Sequence, residues 1–283
     1  MATLNKDRLG ICSWSTHPKN ASDLADRLDD VGLKKVQLAL NPLRSDETNW
    51  GDAQKVLADR GVTIASGMFG TVGEDYSSIE AIRRTGGVVP DEHWQENWQI
   101  VQDVSVVAEK LGLSLVSTHA GFLPHDSSDP DFAKLVDRIA MIAKNFESHG
   151  LTLLFETGQE NADTLQLFLN ALDETGATNT AINFDPANMI LYDMGDPIES
   201  LRKLLPRVKQ VHIKDGIRTK TPGEWGAEVA IGQGEVDWHA FMQTLSDGNY
   251  DGDLIIEREA GEDRVGDIRI AIDQLEKTMQ ATC

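Results

Sequence analysis

Lys35-Val36-Gln37-Leu38-Ala39-Leu40 is a short apolar run, followed by an amphipathic helical pattern from about Trp50 to Arg60, a glycine at Gly61, and a second run, Val62-Thr63-Ile64-Ala65-Ser66-Gly67-Met68-Phe69. Runs this short and this apolar suit strands buried on both faces, and a helix between two of them makes a parallel crossover. A glycine at the helix end supplies a left-handed cap without a Cβ penalty. The unit recurs in both directions. Upstream, Leu9-Gly10-Ile11-Cys12-Ser13-Trp14 precedes a helix from about Ala21 to Val31, closed by Gly32. Downstream, a polar, glycine-containing loop leads to a long helix from about Asp91 to Leu111 and the run Ser114-Leu115-Val116-Ser117-Thr118-His119.

The second half keeps the rhythm. A helix from about Asp129 to His149 precedes Leu151-Thr152-Leu153-Leu154-Phe155-Glu156, and one near Asp163 to Glu174 precedes Thr180-Ala181-Ile182-Asn183-Phe184-Asp185. A short helix around Pro197 to Leu205 leads to Val208-Lys209-Gln210-Val211-His212-Ile213-Lys214 and a long loop. A helix near Trp238 to Asp247, the run Gly252-Asp253-Leu254-Ile255-Ile256-Glu257 and a last helix to about Met279 complete the set. Eight such units in 283 residues predict an α/β protein, one closed (β/α)8 TIM barrel spanning residues 1–283, rather than an open doubly wound sheet. No linker or low-complexity segment divides the chain, and no G-x-G-x-x-G follows an early strand.

With 46 Asp+Glu against 26 Lys+Arg, the formal charge is −20. Such a surface repels phosphate backbones and anionic headgroups, so neither nucleic acid nor a membrane is expected as a partner. The two cysteines, Cys12 and Cys283, make neither a disulfide framework nor a thiolate metal site. The first eight residues are polar, and no apolar run approaches the roughly 18 residues that span a bilayer. The expectation is a cytoplasmic protein.

Barrel enzymes carry their reacting groups at the C-terminal ends of the strands. Those ends here are Trp14, Gln37, Phe69, His119, Glu156, Asp185, His212 and Glu257. A carboxylate closing an apolar strand is costly to bury unless something pairs with it. Each one alone reads as a helix N-cap or an ion-pair partner, and His212 alone as a core histidine. Three carboxylates and an imidazole at successive strand ends call for a shared cation, and a single divalent metal satisfies all of them. The oxygen-rich set suits Mn²⁺ or Mg²⁺, with Zn²⁺ or Co²⁺ as alternatives.

Several segments are similar to the xylose isomerase-like barrels grouped as sugar phosphate isomerases/epimerases. They are Leu154-Phe155-Glu156-Thr157-Gly158, Asn183-Phe184-Asp185-Pro186-Ala187-Asn188, Val211-His212-Ile213-Lys214-Asp215, Leu254-Ile255-Ile256-Glu257-Arg258-Glu259, and the loop from Ala230 to Trp238. The resemblance covers essentially the whole chain and is strongest from His119 onward. It implies that Glu156, Asp185, His212 and Glu257 bind one divalent ion, commonly Mn²⁺. It also implies that Glu156 and Glu257 act as an acid/base pair on opposite faces of a ketose, and that copies of the chain pair through barrel helices. A metal bound to a carbonyl and its neighbouring hydroxyl stabilises the enediolate left when an α-proton departs. Return of the proton gives an epimer or an isomer; a leaving group β to the carbonyl turns the same carbanion to elimination.

The expected activity is therefore a metal-dependent isomerase or epimerase of a small sugar or polyhydroxy ketone. The alternative is a dehydratase or lyase on an inosose or 3-oxo-glycoside, since the stretch from Val211 to Asp215 also resembles inosose dehydratases. An endonuclease for damaged DNA is disfavoured by the charge, and a non-catalytic sugar-binding barrel would leave the glutamate pair without proton chemistry. Arg218 stands where the ketose epimerases carry a substrate-contacting arginine, and Asn188 where they often carry a histidine. Lys214 and Asp215 would bind substrate oxygen or pair with each other. His119 would bond a sugar hydroxyl or help move a proton, unless it is structural. Trp14 and Phe69 would wall the sugar's C–H face or pack in the core. His93, Trp94 and Trp98 read as helix packing, and Arg258, Glu259 and Arg264 as a rim ion-pair network. Gly232 and Gly234 lack the Lys-Ser/Thr of a phosphate loop, so a phosphorylated substrate is not expected.

Overall fold

Eight parallel strands close on themselves in the computed structural model, which describes residues 5–282. Cys283 and residues 1–4 of the polar N-terminal stretch lie outside the described residues. The strands are β1 (Leu9–Cys12), β2 (Lys35–Ala39), β3 (Thr63–Met68), β4 (Leu115–Thr118), β5 (Thr152–Glu156), β6 (Thr180–Phe184) and β7 (Val208–Ile213). A two-stranded antiparallel hairpin follows, β8 (Asp215–Ile217) with β9 (Ala227–Val229), and then β10 (Asp253–Ile256), which closes the barrel between β7 and β1. The TIM barrel read from the alternation is the fold of the chain. Among the described residues no helix is long and apolar enough to cross a membrane.

The helices form where spacing and caps agree. The helix Ala21–Val31 buries Ala21, Leu24, Ala25, Leu28 and Val31 on one stripe. Asn20 caps it by accepting from the Asp23 N–H, and Gly32 ends it at φ 72°. Each such buried leucine stabilises the layer between helices and strands by about 1.5–3 kcal/mol.

The register shifts at two places. Between β2 and β3 the shift falls between Val36 and Gln37, and between β6 and β7 it falls between Ile182 and Asn183. Such irregularities re-aim side chains next to functional sites.

Several elements depart from the expectations. Ser13 and Trp14 leave the first strand for a 3-10 turn, Ser13–Thr16, fixed by Ser13 Oγ accepting from the Ala39 N–H. The helix expected from Trp50 starts at Ala53, after two short helices at Leu40–Ser45 and Glu47–Trp50. Helices Ile79–Thr85 and Pro186–Leu191 occupy stretches read as loop, each capped by its own Ser78 or Asp185. The β8–β9 hairpin is also unforeseen, because three-residue strands carry too few positions to show a period.

Candidate metal centre and active site

Four strand ends deliver four donor side chains to one spot on the barrel axis. Glu156 ends β5, Asp185 directly follows β6, His212 lies in β7, and Glu257 directly follows β10. Glu257 still belongs to the ladder, its N–H donating to Ile213 O at 3.0 Å. One ligand atom from each residue lies within 4.8 Å of all the others. His212 Nδ1 is 3.3 Å from Glu156 Oε1, 3.4 Å from Glu257 Oε2 and 3.7 Å from Asp185 Oδ2. All four residues are buried, and Glu156 Oε2, Asp185 Oδ2 and His212 Nδ1 have no hydrogen-bond partner. Orphaned acceptors at 0–4 % exposure are rare in a folded protein, and a cation between them would satisfy all three. Metal–ligand distances of about 2.1 Å place ligand atoms roughly 3–4 Å apart, which matches this spacing. The residues therefore fit a divalent ion, and the mixture of carboxylate oxygen with one imidazole is the donor set of Mg²⁺, Mn²⁺ and their neighbours.

The remaining oxygens are held by protein. Asp185 uses both of its roles: Oδ1 caps the helix Pro186–Leu191 by accepting from the Asn188 N–H at 2.9 Å, while Oδ2 faces the other donors. Glu156 Oε1 accepts from Asn188 Nδ2 at 2.9 Å. Gly158, at φ 140°, makes that contact possible, because a Cβ there would lie 2.4 Å from Asn188 Cβ. Glu257 accepts from Trp14 Nε1 at 2.8 Å through Oε1 and from Lys214 Nζ at 2.9 Å through Oε2.

Burial alone would push Glu257 up, but Lys214 and His212 outweigh it and hold the carboxyl well below its ordinary range. Asp185 is moved the other way, burial pushing it up to about 6 against the pull of Lys214. Burial opposes charge on His212 as well, yet the acidic groups around it raise its pKa well above the usual value.

Over Glu156 and Glu257 opens a cavity of about 260 Å³. Trp14, His119, Asn188 and Lys214 line it, as do Tyr76, Tyr192 and Trp225. His119 Nε2 stands 3.8 Å from Glu156 Oε2, and its Nδ1 has no partner.

A family model described as xylose isomerase-like TIM barrel matches residues 23–278. The chain belongs to the xylose isomerase-like TIM barrel family. A xylose isomerase domain protein from Planctomyces limnophilus superposes with a TM-score of 0.82 at 32% identity, covering 92% of this chain and 93% of that one. An L-ribulose 3-epimerase superposes at 0.72 with 18% identity, covering 97% and 95%, a likeness of fold. An inosose dehydratase from Clostridium perfringens is 33% identical over 101 residues, 31% of this chain and 33% of its own length. The chain spans less than half the length of the first curated relatives it matches.

Not every residue singled out in this xylose isomerase-like chain reaches the cavity. Phe69 is 1% exposed and packs edge-on against Phe146 at 6.0 Å, so it belongs to the core and does not line the cavity. Arg218 is turned to the rim, donating to Asp193 and, at 2.9 Å, to Gly195 O, and is absent from the cavity wall. Lys214 and Asp215 do not pair with each other. Lys214 bonds Glu257 and Glu259, while Asp215 accepts from the N–H groups of Gly216, Gly232, Gly234 and Val236 and from Trp238 Nε1. Arg258 pairs with Glu228 and Asp267 rather than with Glu259.

Sequence reasoning missed Tyr76, Tyr192 and Trp225, which come from segments without strand periodicity. Their ring pairing, 4.8 Å between the centroids of Tyr192 and Trp225, exists only once the hairpin folds back.

Proposed function

We propose that this protein is a divalent-metal-dependent sugar isomerase or epimerase that moves a proton at the carbon next to a carbonyl. The observation that carries the proposal is the pair of buried glutamates, Glu156 and Glu257, which face one cavity from β5 and β10 and have different partners. A divalent ion held by Glu156, Asp185, His212 and Glu257, Mn²⁺ first among the candidates, would stabilise negative charge on substrate oxygens beside the reacting carbon. Glu257, kept ionised by Lys214, is suited to take the proton. Glu156, beside His119, is placed to return one from across the cavity. Trp14, Tyr192 and Trp225 offer ring faces to sugar C–H groups. A cavity of about 260 Å³ is below the range that encloses drug-sized ligands, and it suits a single small ring or open-chain polyol.

The likeness to inosose dehydratase favours a second reading, elimination of water from an inosose or 3-oxo-glycoside by the same glutamates. Mass spectrometry of products separates the two. Mn²⁺-loaded protein incubated with ketoses, inososes and 3-oxo-glycosides is expected to give a product of unchanged mass, and Glu257→Gln protein none. Loss of one water would assign the elimination reading instead.

A further inference from the structure

Behind the four donors, on the side of His212 away from them, runs a buried chain of hydrogen bonds. His212 Nε2 lies 2.6 Å from Gln37 Oε1. Gln37 Nε2 donates to Ser117 Oγ at 2.8 Å, and Ser117 Oγ donates to Gly67 O at 3.4 Å. Gln37, Ser117 and His212 are each 0% exposed, so water cannot substitute for any member. A backbone carbonyl only accepts, so the Ser117 hydroxyl proton points to Gly67. Its lone pair then takes the Gln37 amide N–H, and that leaves the Gln37 oxygen towards the imidazole. Followed in this direction, the chain gives the hydrogen to His212 Nε2 and leaves Nδ1 to the carboxylates.

Two neighbours bear on the same nitrogen. Cys12 Sγ lies 3.5 Å from Gln37 Oε1 and can donate to it. Asn183 Nδ2 sits 2.9 Å from His212 Nε2, while its Oδ1 has no partner. Turning that amide by half a rotation presents its oxygen to the Nε2 hydrogen and breaks no other bond. Both register shifts of the barrel fall beside these two amides, between Val36 and Gln37 and between Ile182 and Asn183. The sheet is bent where it aims them at the imidazole.

We propose that Gln37, locked by Ser117, is a positioning residue that fixes the His212 tautomer and ring plane and thereby sets the affinity for the divalent ion. The proposal rests on the metal reading of Glu156, Asp185, His212 and Glu257. Outer partners of this kind are worth about 10–100-fold in metal affinity.

The test is direct Mn²⁺ binding, followed by the electron paramagnetic resonance signal of free Mn²⁺, with ¹⁵N NMR of His212 in Mg²⁺-loaded protein. Gln37→Leu is expected to weaken Mn²⁺ binding about 10–100-fold, and Gln37→Glu, which keeps an acceptor, to restore it. Ser117→Ala is expected to weaken binding less and serves as the test if the leucine variant does not fold. The ¹⁵N spectrum should show the proton on Nε2. Unchanged affinity in folded Gln37→Leu or Ser117→Ala, or a proton on Nδ1, overturns the proposal and leaves the metal site standing. Absence of Mn²⁺ binding by the unmodified protein overturns the metal reading, and this proposal with it.

Discussion

Glu160 lies four residues past Glu156 and is 4% exposed, and among the described residues nothing bonds its carboxyl. Burial raises its pKa to about 8 from an ordinary 4.5. Between those two values the folded chain holds a proton that the unfolded chain has shed, so stability falls as pH rises through that window. Glu160→Gln should therefore stabilise the protein at pH 8, by an amount on the order of a few kcal/mol, and change little near pH 4. Urea unfolding at the two pH values checks this; an equal effect at both would show that the carboxyl is not buried as described.

At the same scale, the residues that converge as Glu156, Asp185, His212 and Glu257 stood out because they lie at or near the ends of apolar runs, where burial makes an unpaired polar group expensive. Asp185 shows why the cap and ligand accounts do not compete, since Oδ1 caps the helix and leaves Oδ2 free for the proposed ion. Gln37 stood among the strand ends, but nothing in sequence pairs β2 with β7 across the barrel. Phe69 and Trp14 looked alike as strand-end aromatics. The difference between them, core packing against an N–H bond to Glu257, arises from the 3-10 turn that carries Trp14 inward.

Among the elements, the β8–β9 hairpin and the loop from Ala230 to Trp238 depend on one side chain. Asp215 gathers five N–H donors, and Gly234 must be glycine beside it, since a Cβ there would lie 2.1 Å from Asp215 Oδ1. The hairpin in turn carries Trp225 and Glu228 to the cavity wall. Asp215→Ala should cost at least about 3 kcal/mol, because several buried donors lose their acceptor together. Hydrogen exchange should show Gly232, Gly234 and Val236 unprotected while β5 and β6 keep their protection. Uniform loss of protection would instead make Asp215 part of the global core. The long helices were readable from their stripes and caps, whereas helix Ile79–Thr85 was obscured by the glycines around it, despite the cap that Ser78 gives the Ala81 N–H.

For the molecule as a whole, closure of the sheet brings β5, β6, β7 and β10 side by side, and that adjacency turns four separate strand ends into one centre. The net charge of −20 agrees with a small uncharged substrate, since an anionic one would meet a repulsive field on approach. The central claim is proton transfer at this centre. Proton NMR in D₂O, with Mn²⁺-loaded protein and a panel of ketoses and inososes, tests it most directly. Deuterium should enter a carbon beside the carbonyl, and chelation of the metal or Glu257→Gln should abolish the exchange. Exchange that persists after either change, or its absence across the panel with metal bound, would contradict the account.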